Sequence, residues 1–246
     1  MSEIRKNYVI KLCIRILIFI ICFIMCFIKE EFIILKGMNF FKEFNPLHIL
    51  WLIWVFDMLL QVIPIKNKLA LGSQKLFAHR FKPSIIKTAP NKIKDYIKTI
   101  TKSAYKVLII WVLLIAVIGV LYYSKIINTK TLFMISVFFY VCDLICVLVW
   151  CPFRLLMKNK CCTTCRIFNW DHIMMFSPLI FINSFYTLSL VALALLSWGV
   201  WELSVLLFPQ RFYEITNVSL KCSKCTDKLC TQYCEKKKKQ LKNKKR

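Results

Sequence analysis

Glycine and acid are both scarce in this chain: four Gly and 12 Asp or Glu stand among 246 residues. It has no Gly-rich phosphate loop, no H-E-x-x-H pair and no nucleophile elbow. Phosphoryl transfer and hydrolysis therefore have no recognisable machinery here. The shortage of acid leaves a formal net charge of +24 in a sequence that is 59% hydrophobic. In such a chain Lys and Arg report first on membrane orientation and on attraction to anionic lipid headgroups, and no specific nucleic-acid partner is expected. Also missing is a small-residue cleavage site between the first apolar run and Lys29-Glu30-Glu31. That run reads as a retained anchor.

What the chain does have is apolar sequence in long runs. Five tracts stand out, over 11–28, 47–65, 107–123, 132–150 and 173–208, each long enough at helical rise to approach a hydrocarbon core of roughly 30 Å. Backbone in lipid must satisfy its own hydrogen bonds, so these tracts are expected to be helices. The expected fold is all-α: a polytopic membrane helical bundle over 1–208, followed by a small Cys-rich basic cytoplasmic tail over 209–246. Trp51, Trp54, Tyr122, Tyr123, Trp150 and Trp170 lie at or near tract ends, as interfacial aromatics do. Lys11 and Arg15 are placed to snorkel from the start of the first helix.

The basic residues set an orientation. The flank to residue 16 has four, 29–46 three, 66–106 eleven, 125–130 two, 151–172 four, and the tail from 209 twelve. This alternation predicts an integral protein of the plasma membrane with the N-terminus, the 66–106 loop and the 151–172 loop in the cytoplasm. The last tract, at 36 residues, would be roughly 54 Å long as one helix, too long for one untilted crossing. A hairpin or re-entrant arrangement is favoured over an in-plane segment followed by one crossing, because it returns the basic tail to the cytoplasm. Pro178, Asn183-Ser184 and Ser197-Gly199 offer breaks. Within the basic loop, Ile93, Tyr96, Ile97, Ile100 and Ala104 share a helical face opposite Lys94, Lys98 and Lys102. They predict an amphipathic helix over 92–105 lying on the lipid surface.

Thirteen cysteines fall into three settings. Cys13, Cys22, Cys26, Cys142 and Cys146 lie in apolar runs and read as small apolar residues. The tail holds Cys222, Cys225, Cys230 and Cys234 in C-x2-C-x4-C-x3-C spacing, which suits four thiolates converging on zinc or an iron–sulfur cluster. Lys221, Lys224 and Lys228 would offset their charge. The loop holds Cys151, Cys161, Cys162 and Cys165. Adjacent cysteines point apart in most backbones, so one of Cys161 and Cys162 is expected to pair with Cys165. This loop partly resembles the cysteine-rich motif of heterodisulfide reductases, but no Gly follows Cys162 and no function is carried over.

Asp57, Asp143 and, near a tract end, Glu202 are the carboxylates within spans. Such groups are expensive in lipid and mark function by default. Asp57 shares a face with Gln61, and Cys142 and Cys146 flank Asp143. Asp171 reads as a helix N-cap with His172 beside it, or as a ligand or proton carrier next to the cysteines. The expected function is that of an integral membrane metalloprotein with a cytoplasmic Cys-ligated zinc or iron–sulfur site, placed for electron transfer to a quinone or a protein partner. The alternatives are a zinc-stapled scaffold that recruits a partner through its basic surface, and a cation or proton transporter using Asp57 and Asp143.

Overall fold

The computed structural model describes residues 2–27, 30–42, 44–63, 72–84, 90–157, 161–221, 224–225 and 227–229. Among them are seven α-helices: α1 (Glu3–Met25), α2 (Pro46–Val62), α3 (Pro90–Tyr123), α4 (Thr129–Leu148), α5 (Phe153–Met157), α6 (Asp171–Phe176) and α7 (Phe185–Leu207). Capping side chains set several starts. Ser2 accepts from Arg5 N, Asn128 from Thr131 N and Ser184 from Thr187 N, while Asn45 and His48 form a reciprocal capping box on α2. Each such cap is worth about 1 kcal/mol.

α1, α3, α4 and α7 are long and apolar enough to cross a membrane; α2, at 17 residues, is a shorter apolar helix. Over their apolar stretches the outer faces carry no polar stripe. Ile14, Leu17 and Ile21 of α1, and Leu113, Val117 and Val120 of α3, are exposed. Apolar surface on this scale requires lipid against it.

The segments read as an amphipathic helix over 92–105 and a span over 107–123 form a single helix, α3. No Gly or Pro stands between Asn91 and Gly119 to break it, so the basic first turns project along the axis of the span.

The long last tract divides at Asn183-Ser184. Its first limb, α6 followed by a 3₁₀ turn at Ser177–Phe181, can be followed by its neighbours. Asp171 meets Gln61 near the end of α2, Ser177 meets Trp111 of α3, and Asn183 O accepts from Gly37 N. Gly37 has φ +53°, where a side chain would be strained, and Phe185 N donates back to its carbonyl at 3.0 Å. Gly119 makes room for the Phe181 ring, which an added Cβ would meet at 2.5 Å. α7 then runs back antiparallel to this limb.

The tail consequently emerges at the end of the bundle that holds the N-terminus. Ser2 Oγ donates to Asp227 O at 2.5 Å, Val218 N to Lys82 O at 2.8 Å, and Arg211 to Leu76 O at 3.3 Å. Phe212, Tyr213, Leu220 and Leu229 are buried, with Phe212 edge-on to Trp201 of α7 at 4.9 Å. The described part of 209–246 is therefore packed onto the bundle. The main core lies toward the other end, where Trp54 is wholly buried among Phe133, Phe176, Tyr140 and Tyr186.

Candidate functional site

Two chambers lie side by side between this core and the tail. The first is small, about 50 Å3, and charged. The sequence position of Arg15 suggests snorkelling; instead its side chain turns inward from α1 and is 6% exposed. It donates to Asp143 Oδ2 of α4 at 2.7 Å, to the Tyr140 carbonyl at 2.7 Å and to Asp57 Oδ2 of α2 at 3.3 Å. Its guanidinium also lies 3.9 Å from the centre of the Tyr140 ring. Lys11, one turn earlier, reaches Asp57 at 3.7 Å. Arginine suits this place because its planar fork keeps its charge and donates to two carboxylates at once. Both membrane carboxylates singled out in the sequence thus meet at one residue that the sequence reading placed elsewhere. The available signal was charge balance: two intramembrane Asp require a cation, and Lys11 and Arg15 lie on one face of a neighbouring helix.

Asp171 and His172 complete this chamber. Gln61 Nε2 donates to Asp171 Oδ2 at 2.7 Å, and His172 Nδ1 lies 3.4 Å from Asp171 Oδ1. Asp171 is thus the first residue of α6, and its carboxylate is spent on Gln61 and His172. Two cations, Lys11 and Arg15, face three carboxylates, Asp57, Asp143 and Asp171. The group is neutral only when it holds one further proton, and the Asp171–His172 pair is a place to hold it.

The second chamber is larger, about 270 Å3, and thiol-lined. Cys142 and Cys146 of α4, Cys151 beyond its end, and Cys162 and Cys165 of the loop all open into it. Asp143, Val147, Phe168 and Asp171 line both chambers, so they share a wall. The last turn of α4 widens, with Trp150 N bonded to Ile145 O at 3.1 Å. The chain then turns through Cys151-Pro152, which sets the free thiol of Cys151 on the chamber wall within interacting reach of the free thiol of Cys146. That interaction, with the Phe153 and Arg154 amides, draws the Cys151 thiol below its ordinary range against the effects of burial and of Asp143. Burial pushes Cys162 and Cys225 the other way. Cys151 is thus the more readily ionised thiol of the two. Cys162 faces the Cys146 carbonyl at 3.6 Å, while Cys161 turns aside to Thr163 at 3.1 Å.

An ion pair fixes the loop. Arg166 makes a bidentate pair with Glu202 of α7, and Trp170 Nε1 donates to the same carboxylate at 2.8 Å. This accounts for Glu202 as a structural group. Lys75, which the sequence did not single out, is buried beneath the loop, donates to Cys165 O at 3.4 Å and sits 5.8 Å from the Trp201 ring. Burial lowers it to about 7.

Of the tail cysteines, Cys225 is described and lies within electrostatic reach of Cys161; Cys222, Cys230 and Cys234 lie outside the described residues. Among the described residues no three His, Cys, Asp or Glu side chains converge as a ready metal site. No family model, curated protein or solved structure matches this chain. Its chemistry has to be read from the two chambers.

Proposed function

We propose that this protein is an integral membrane thiol redox protein, in which Cys146 and Cys151 store two electrons as a dithiol and the neighbouring charged chamber handles the accompanying protons. The observation that carries this reading is the placement of two free thiols, Cys146 and Cys151, on the wall of one chamber that shares Asp143 and Asp171 with a carboxylate–histidine cluster. Closing a dithiol to a disulfide releases two electrons and two protons. Cys151, the more readily ionised of the two thiols, is the attacking group. The protons have acceptors within the same wall. A cation path along Asp57 and Asp143 has less support, since the guanidinium of Arg15 already occupies both carboxylates. In orientation, the basic end of the bundle faces the cytoplasm, where thiols are kept reduced.

The test is a redox titration of the full chain in lipid nanodiscs, with alkylation of free thiols and peptide mapping at each potential. Cys146 and Cys151 should titrate together as a two-electron couple, with a midpoint in the span of about −270 to −120 mV used by thiol–disulfide proteins. Full alkylation of both at every potential in that span contradicts the reading.

A second reading keeps the thiols and changes what they hold. The C-x2-C-x4-C-x3-C spacing of the tail suits zinc or an iron–sulfur cluster, either for electron transfer or as a staple for a scaffold. Metal analysis of purified wild type and of the Cys222→Ser/Cys225→Ser variant separates the two readings. Metal that is present in the first and lost from the second supports the metal site.

A further inference from the structure

The thiol chamber is larger than a disulfide needs. Forming one S–S bond between two neighbouring thiols requires little space, yet about 270 Å3 lies beside them. The walls away from the sulfurs are rings: Trp111 with Phe139 at 5.0 Å and Phe153 at 6.0 Å, and Phe168 on the wall shared with the charged chamber. They bound an apolar slot suited to a flat ring. Along the chain next to Cys151 and Phe153, the residues Val149, Trp150 and Leu155 are exposed and apolar, so the surface around the chamber faces lipid. A lipid-soluble molecule has access to it without crossing water. Asp143 and Asp171 meet the same space as the thiols.

We infer that this chamber seats the ring of a membrane quinone, which takes the two electrons of the Cys146–Cys151 dithiol. The inference rests on the thiol redox reading above and names its acceptor. A quinone matches the couple in stoichiometry, since it accepts two electrons and two protons. An acyl chain would fill the same slot but leave the thiols and carboxylates without a role. In the step, the Cys151 thiolate adds to a ring carbon, forming a C–S bond. Cys146 sulfur then attacks Cys151 Sγ; the S–S bond forms, the C–S bond breaks, and the electron pair leaves with the ring. The two protons shed by the thiols end on the two quinone oxygens, with Asp171, beside His172, placed to pass them. Dithiol and quinone become disulfide and hydroquinone. Exchange with a second reduced dithiol resets the pair.

The experiment uses the full chain in nanodiscs, reduced, desalted under argon and mixed with decylubiquinone, whose fully substituted ring disfavours lasting thiol adducts. One hydroquinone per protein should form by absorbance, together with a Cys146–Cys151 disulfide in the peptide map. Cys146→Ser and Cys151→Ser should each abolish both products, whereas Cys13→Ala, at an exposed cysteine of α1 away from the chamber, should keep both. Phe139→Leu should slow the quinone reaction while leaving oxidation by diamide, a small soluble oxidant, unchanged. If diamide closes the disulfide and decylubiquinone does not, the quinone inference falls and the redox reading stands. If neither closes it, both fall. Hydroquinone from the Cys146→Ser/Cys151→Ser protein overturns the inference, because the electrons then come from elsewhere. The wild-type stoichiometry and disulfide map depend on no variant being stable.

Discussion

The charged chamber and the thiol chamber share a wall and differ in nearly everything else. The first is small, and its centre is filled by a guanidinium that binds carboxylates from two helices. The second is about five times larger, walled by rings and sulfur. Buried charge holds a structure together only if every partner is present, because a single uncompensated ion costs more than the pair contributes. Buried apolar space tolerates substitution, and it favours whatever apolar object fills it. The first chamber therefore behaves as a keystone for α1, α2 and α4, and the second, on the quinone proposal, as a receptor.

Removing the keystone gives the largest effect. Arg15→Met leaves Asp57 and Asp143 facing each other in a buried site, at an expected cost of about 3–5 kcal/mol. Unfolding in nanodiscs or mild detergent, followed by tryptophan fluorescence, reads it. In an Asp57→Asn/Asp143→Asn background the same substitution should cost much less, since no stranded carboxylates remain. An equal cost in both backgrounds would mean that Arg15 acts through packing on Tyr140, and the contrast between the chambers would lose its electrostatic basis.

A second buried cation sharpens the point. Lys75 is 3% exposed, and among the described residues its contacts are a carbonyl and an indole ring instead of carboxylates. Burial lowers it from 10.5 to about 7. Between those values the unfolded chain carries a proton there that the folded chain lacks, so folding stability rises with pH from about 7 to about 10. The contribution is at its lowest below the folded value and complete above the unfolded one. Wild type should gain on the order of 1–3 kcal/mol across that window, and Lys75→Met should flatten the slope. Thermal unfolding at several pH values shows it; an unchanged slope in the variant assigns the pH dependence to other groups.

Much of the bundle was legible in the sequence because lipid imposes a strict rule: apolar runs must be helices of sufficient length. α4 follows from that rule with ends shifted by two or three residues, α1 begins eight residues before its tract, and α7 is the second limb of the long last tract. The reversal at Asn183-Ser184 was legible as a polar pair inside an apolar tract, and Ser184 caps the returning helix. The site was less so. Asp57 and Asp143 announced themselves by being charged, yet their shared partner depended on how α1 is rotated in the bundle, which composition does not specify. The approach of Cys146 to Cys151 was hidden because it crosses a helix end. Five positions apart on an ideal helix point in different directions, and the widened last turn with Pro152 brings them together. The merging of 92–105 with 107–123 was missed for the opposite reason: a polar face suggested a surface helix, although no breaker stood between the segments.

The smallest expected effect is also the sharpest test of the receptor view, and it concerns Cys142. This α4 residue opens into the thiol chamber one position before Asp143. Cys142→Leu adds two heavy atoms beside a space of about 270 Å3, so the larger side chain has room in which to choose a relaxed rotamer. Its cost should stay under about 1 kcal/mol, whereas the same enlargement in a filled core typically costs about 1–3 kcal/mol. Ser136, on the same helix and wholly buried, is the comparison, although Ser136→Leu also removes a hydroxyl, so Ser136→Ala is needed as its reference. The expected outcome is a nearly unchanged unfolding transition for Cys142→Leu and a clear loss for Ser136→Leu relative to Ser136→Ala. A destabilisation at Cys142 as large as that at Ser136 would mean the chamber closes on itself in lipid. It would then be a packing irregularity of the bundle instead of a place where a second molecule binds.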